Sequence, residues 1–107
     1  MTSKNIEERR VELHELLCSI LGSRHVYFQP PESIKMEYPA IRYSRSKIES
    51  TKADNFKYLG NVRYSIIFIS RTPNSNIVDE LESLPYCSHE RFYTAENLNH
   101  DVFTIFY

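Results

Sequence analysis

The sequence predicts a single α+β domain, spanning residues 1–107, in which two helices pack on a small mixed or antiparallel sheet of about five strands. The predicted order is α-β-β-β-α-β-β. A length of 107 residues suits one domain. A composition of 41% hydrophobic and 25% charged residues is typical of a globular protein. Apolar residues recur at helical spacing in two segments and at strand spacing in five, which gives the element order.

Two segments have the pattern of helices. In residues 5–21, apolar side chains recur on one side and acidic residues fill the other, which is typical of an amphipathic helix. Gly22 is well placed to end it. A second helix, capped by Ser75 or Asn76, is predicted to run to about Leu84.

Five segments have the pattern of strands, and the third is the most apolar. Its run of residues 66–69 is apolar on both faces, which predicts a central strand covered on both sides. In so small a protein we expect the second cover to come from another subunit. The predicted strands are residues 25–29, 40–46, 64–70, 88–93 and 102–107, with a polar turn at 94–100 between the last two.

Residues 47–57 are polar and weakly patterned, and they predict a long mobile loop or an extended hairpin arm. Long connections in compact domains are often functional. The segment 42–63 has six basic residues against two acidic ones, a net charge of +4, whereas 64–107 has the reverse, −4. Such a chain can bind copies of itself head to tail, although solvated charges are the simpler interpretation. The candidate subunit-interface or lumen residues are Lys47, Lys52, Phe56, Lys57 and Tyr58.

No motif in the sequence carries recognisable chemistry. With two glycines, the chain lacks a phosphate-cradling loop. A zinc set is conceivable from two Cys and two His, but its spacing matches no common site. Pairs of neighbours such as His100 with Asp101 point to opposite faces of a strand. We therefore predict no catalytic residues, no metal and no cofactor. The zinc set considered is His14, Cys18, Cys87 and His89.

The expected compartment is a reducing cytoplasm, and a membrane location is not expected. Two cysteines do not make a disulfide framework. No stretch approaches the ~20 apolar residues that cross a bilayer. The basic segment 42–63 interleaves Tyr43, Phe56, Tyr58 and Tyr64, which would suit nucleic acid. A net charge of −1 gives little electrostatic support for that alternative.

Four stretches of the chain carry a resemblance to a known family. They are VYFQPP at 26–31, YPAIRY at 38–43, LPYC at 84–87 and RFYTAENLNHDVF at 91–103. Together they resemble the tail terminator, or tail completion, proteins encoded in the head–tail region of long-tailed phages and prophages of Gram-positive bacteria. The resemblance extends from about Leu13 to Tyr107 and includes the α-β-β-β-α-β-β order.

The resemblance implies a non-enzymatic virion protein that forms a ring of six copies. Such a ring sits at the head-proximal end of the tail tube, stops tube polymerisation and docks to the head connector or stopper protein. Its lumen would contact passing DNA. The implied location is the tail or neck of the virion, and the host cytoplasm during assembly. Head-completion proteins of the neck, stoppers and adaptors, share this size and composition and remain an alternative.

Overall fold

The computed structural model describes residues 5–49, 61–73 and 76–107. The order of its elements confirms the predicted α-β-β-β-α-β-β arrangement. The elements are α1 (Ile6–Leu21), β1 (Val26–Phe28), β2 (Ala40–Glu49), β3 (Asn61–Ser70), α2 (Asn76–Glu82), β4 (Cys87–Ala95) and β5 (Leu98–Phe106).

The five strands form one mixed sheet in the order β1-β2-β3-β5-β4. β1 runs parallel to β2, and every other neighbouring pair is antiparallel. β3 is the third of the five strands, so the prediction that residues 64–70 lie at the centre of the sheet is confirmed. β5 follows β4 in the chain but lies between β3 and β4 in the sheet.

Both ends of α1 are capped by the residues that the sequence supplies there. The Asn5 side chain accepts a hydrogen bond from the Glu8 backbone N–H at 2.8 Å, which satisfies one free donor of the first turn. Gly22 adopts a left-handed φ of 79°, and its N–H donates to the Cys18 carbonyl. Between the caps, the buried residues are Leu13, Leu17, Cys18 and Leu21.

The core lies between the two helices and one face of the sheet. α1 contacts β1 and β2, while α2 contacts β4 and β5. Because side chains alternate along a strand, Ile66 and Phe68 of β3 face the helices, and Ile67 and Ile69 face the other way. The largest side chains that the sheet buries in this core are Tyr43, Tyr64, Phe68 and Phe103.

The predicted turn at 94–100 is too long. β4 and β5 pair as far as Ala95 and Leu98, so two residues, Glu96 and Asn97, make the turn. Their φ angles are 53° and 63°, both left-handed, as in the two-residue hairpin turns whose twist suits flanking strands.

Several other boundaries also differ from the predicted ones; β3, for example, begins at Asn61 and not at Tyr64. β2 continues to Glu49 because its pairing with β3 resumes after a bulge between Arg45 and Lys47. β1 ends at Phe28, since Gln29 adopts a left-handed φ of 43°. α2 ends at Glu82, two residues short of the predicted end.

Candidate functional site

The predicted arm at 47–57 falls only partly within the described residues. Lys47 belongs to β2 and pairs with Arg63 across the ladder, so residues 47–49 are strand and not loop. β2 and β3 are antiparallel neighbours, so the segment that joins them connects a hairpin. Of the predicted interface residues, Lys52, Phe56, Lys57 and Tyr58 lie outside the described residues.

The conceivable zinc set is divided between α1 and β4. Among the described residues, His14, Glu15 and Cys18 have possible ligand atoms within 4.8 Å of one another, and Cys87 and His89 do not belong to that group. Two of the three, His14 and Glu15, contact other side chains of the protein. His14 Nδ1 lies 2.7 Å from the Tyr43 hydroxyl, and Glu15 pairs with Arg24 at 2.7 Å.

Burial also shifts the pKa values of Cys18 and His14, in the directions that favour the uncharged form of each side chain. Desolvation raises the pKa of the Cys18 thiol, so the thiolate that a metal requires is disfavoured. Desolvation, with a further contribution from Arg10, lowers the pKa of His14. The arrangement fits a structural network between α1 and β2.

The fold creates two histidine–carboxylate pairs that sequence neighbours did not indicate: His25 with Glu37, whose carboxylate is exposed, and His89 with Asp101, whose carboxylate is buried. His89 Nε2 lies 2.9 Å from Asp101 Oδ1, across the β4–β5 ladder. Asp101 is 7% exposed, so the imidazole satisfies a buried carboxylate. Neighbours in the sequence such as His100 and Asp101, which are expected to point to opposite faces of the strand, do not form a hydrogen bond with each other in the described part. Finding the His89–Asp101 pair requires the strand register, which includes a bulge between His89 and Arg91.

Cys87 lies two residues before His89 on the same face of β4, which places a thiol, an imidazole and a carboxylate near one another. Nucleophilic catalysis by cysteine requires a thiolate near neutral pH. Burial raises the pKa of Cys87 to about 11, so this thiol is protonated. The geometry and the pKa together favour a packing role for Cys87.

The face of the sheet turned away from the helices carries a groove, and we call this side the open face. The groove encloses about 240 Å³ between the loop of residues 29–39 and the β4–β5 hairpin. Ile67 and Ile69 form its apolar floor, and Tyr38 and Tyr93 stand at its sides. The central strand is thus apolar on both faces, as predicted, and loop residues supply part of the second cover.

Three arginines lie on or beside the open face. Arg42 lines the groove, and Arg91 pairs with Val102 on the same side of the sheet. The Arg71 guanidinium lies 5.8 Å from the centre of the Tyr38 ring. None of the three forms an ion pair with a residue of the described ranges, whose ion pairs involve other side chains. The open face therefore carries net positive charge: its groove is also lined by the carboxylate of Glu96, but Glu96 forms no ion pair with these arginines.

The opposite side of the molecule carries acidic charge on α2. Asp79, Glu80 and Glu82 are all exposed, and the helix contains no basic residue. Within the described part, none of these three carboxylates forms an ion pair. We call these residues, with the neighbouring Tyr86, the α2 surface. Tyr86 is 81% exposed, the most exposed large apolar side chain among the described residues.

The charge segments in the sequence do not coincide with these surfaces. Arg71 and Arg91 belong to the acidic segment 64–107, yet they lie with Arg42 on the positive open face. The sheet brings them together because β3, β5 and β4 are neighbours. Counting charge along the chain shows that the protein is asymmetric, but only the strand order shows which residues form each surface.

No helix among the described residues is long and apolar enough to span a membrane. The chain matches no protein-family model, no curated protein and no solved structure at a significant level.

Proposed function

We propose that this chain is a non-enzymatic assembly subunit, a phage tail terminator that closes into a ring at the head-proximal end of the tail tube. The ring stops tube polymerisation and provides the docking surface for the head connector. One structural observation supports this most: the sheet is covered by helices on one face and leaves, on the other, a groove that has an apolar floor and has arginines in and beside it. A two-layer domain with such a face gains by adding a third layer from another molecule.

The resemblance of four sequence stretches to tail terminators supports the same proposal. Two of them, 38–43 and 91–103, supply Tyr38, Arg42, Arg91 and Tyr93 around the groove. A third, 84–87, supplies the exposed Tyr86. The resembling stretches therefore include surface residues, and a shared core alone does not account for them. A stopper or adaptor of the neck is the nearest alternative, since it also assembles through its surfaces.

A second candidate function is binding of single-stranded nucleic acid. Arginines beside exposed aromatic rings bind such strands through phosphate contacts and base stacking. Arg91 lies 5.3 Å from the centre of the Tyr93 ring, and Tyr93 stacks on His100 at 4.6 Å. The acidic α2 surface favours protein partners over nucleic acid, so we place this function second.

The experiment is to measure the mass of the purified protein in solution, alone and during polymerisation of a tail tube protein from the same phage. We expect a ring of six copies, and tubes that stop growing when the ring is added. The inactive control is Phe103→Asp, which buries an unpaired carboxylate in the core and is expected to unfold the domain. A protein that stays monomeric at all concentrations and leaves tube length unchanged would refute the proposal. Salt-sensitive binding to single-stranded DNA without rings would favour the second candidate.

A further inference from the structure

We propose that the open face of one subunit binds the α2 surface of the next copy in the ring. This inference rests on the proposed ring and identifies the surfaces that form it. The contact places Asp79, Glu80 and Glu82 of one copy against Arg42, Arg71 and Arg91 of its neighbour. Tyr86 occupies the groove floored by Ile67 and Ile69.

The distribution of ion pairs supports this contact. On α1, two of the acids are paired inside the subunit, Glu7 with Arg10 and Glu15 with Arg24. The three acids of α2 and the three arginines of the open face have no such partners among the described residues. The open face, with three arginines against the carboxylate of Glu96, and the α2 surface, with three acids, have opposite net charge and are electrostatically complementary.

The position of Tyr86 supports it independently. Its backbone has a left-handed φ of 59°, which is uncommon for a bulky residue. Pro85 precedes Tyr86 in the chain. The Tyr86 carbonyl accepts a hydrogen bond from the Phe106 N–H at 3.1 Å. The backbone is therefore fixed while the ring remains exposed. An exposed Tyr on a fixed backbone binds at low entropic cost, and such residues are often the anchors of interfaces.

The two surfaces lie on opposite sides of the sheet, because α2 packs on one face and the groove lies on the other. One subunit cannot join its own surfaces, and two subunits related by a two-fold axis would have to make both contacts at once, which surfaces on opposite sides of the sheet prevent. Only a head-to-tail contact pairs them, and head-to-tail contacts generate rings when the rotation closes.

The test uses two charge-reversal variants, each altered on one surface. The first is Arg42→Glu with Arg91→Glu, on the open face, and the second is Asp79→Lys with Glu82→Lys, on the α2 surface. Each variant alone sets like charge against like at every contact, so we expect ring formation to weaken at least tenfold. Mixed in equal amounts, the variants pair their complementary surfaces, and rings should return with an even copy number and strict alternation. Native mass spectrometry measures the copy number and the equal content of the two variants that strict alternation requires.

Glu8→Lys reverses an exposed charge on α1 and is the matched control, which should form rings normally. Tyr86→Ala should weaken the ring tenfold or more while leaving the melting temperature of the subunit unchanged. Unchanged rings in both charge variants would overturn this inference and leave the proposed function standing, as would loss of rings without rescue on mixing. A wild-type protein that never forms rings would overturn the proposed function itself.

Discussion

At the scale of single residues, the Tyr43 hydroxyl connects α1 to the sheet through a directional chain of hydrogen bonds. Arg10 Nη1 donates to this hydroxyl at 3.1 Å, and the hydroxyl lies 2.7 Å from His14 Nδ1. Because arginine can only donate, the Tyr43 hydroxyl accepts from Arg10, and its own proton is available to be donated to His14 Nδ1. This arrangement suits a neutral His14 that carries its proton on Nε2, the form that its lowered pKa favours. Burial raises the pKa of Tyr43 to about 12, which keeps that donor protonated.

This network predicts a loss of stability in mild acid. Burial, with Arg10, lowers the pKa of His14 below its ordinary value of 6.5 in the folded state. As the pH falls through 6.5, the unfolded chain takes up a proton before the folded chain does, so the free energy of unfolding decreases. The contribution of His14 to the free energy of unfolding is fully present above pH 6.5, and it is lost as the pH falls toward the lower pKa of the folded state.

The measurement is the urea midpoint between pH 7.5 and 5 for the wild type and for His14→Gln. We expect the variant to have a flatter dependence on pH, because it removes the group that titrates. Equal slopes for the two proteins would mean that His14 does not titrate differently on folding.

At the scale of elements, the caps of α1 were predictable because their chemistry is local. Gly22 is the clearer case, since a left-handed residue after a helix favours glycine. The length of the turn between β4 and β5, in contrast, could not be predicted from the local sequence. Asn97 suits a left-handed position, but Glu96 does not, and nothing else in the polar segment 94–100 marks where pairing begins. Bulges likewise depend on the partner strand, which local patterns do not specify.

Gly22→Ala should lower the free energy of unfolding by about 1 kcal/mol, because an L-residue pays to adopt the left-handed conformation. A Cβ at this position would meet nothing within 4 Å, so crowding adds no cost. Gly22→Asn is the matched comparison and should be less destabilising, since asparagine tolerates this conformation better. Urea unfolding at neutral pH measures both. Equal losses for Ala and Asn would show that the backbone angle is not the cause.

At the scale of the whole molecule, the stability of the domain depends on one core, between the helices and one sheet face. Leu17 is 0% exposed in that core, and Val11, on the same helix, is 47% exposed. Leu17→Ala should therefore lower the free energy of unfolding by about 2–5 kcal/mol, through lost burial and a cavity. Val11→Ala should change it by less than about 0.5 kcal/mol. Chemical denaturation compares the two, and a similar cost at both positions would contradict the described packing of α1.

Some parts of the candidate site could not be predicted from the sequence because they form only when the whole chain is folded. The apolar faces of β3 were visible because Ile66 to Ile69 are consecutive in the sequence. The open face was not, because Arg42, Arg71 and Arg91 are separated along the chain and meet only through the order β2-β3-β5-β4. The exposed Tyr86 was visible only as one of many aromatics. Its prominence depends on a backbone angle that sequence patterns do not determine.

The insertion of β5 between β3 and β4 has a consequence for the timing of synthesis. β3 and β4 leave the ribosome before β5 does. They cannot be joined in one sheet until β5, residues 98–106, is synthesised and pairs with both. Domains generally fold as units, so an unfinished chain holds two unjoined parts of a sheet. The groove also needs Leu98 and His100 from the late strand. In the proposed ring, a chain that lacks β5 would therefore have no complete groove with which to contact a neighbour.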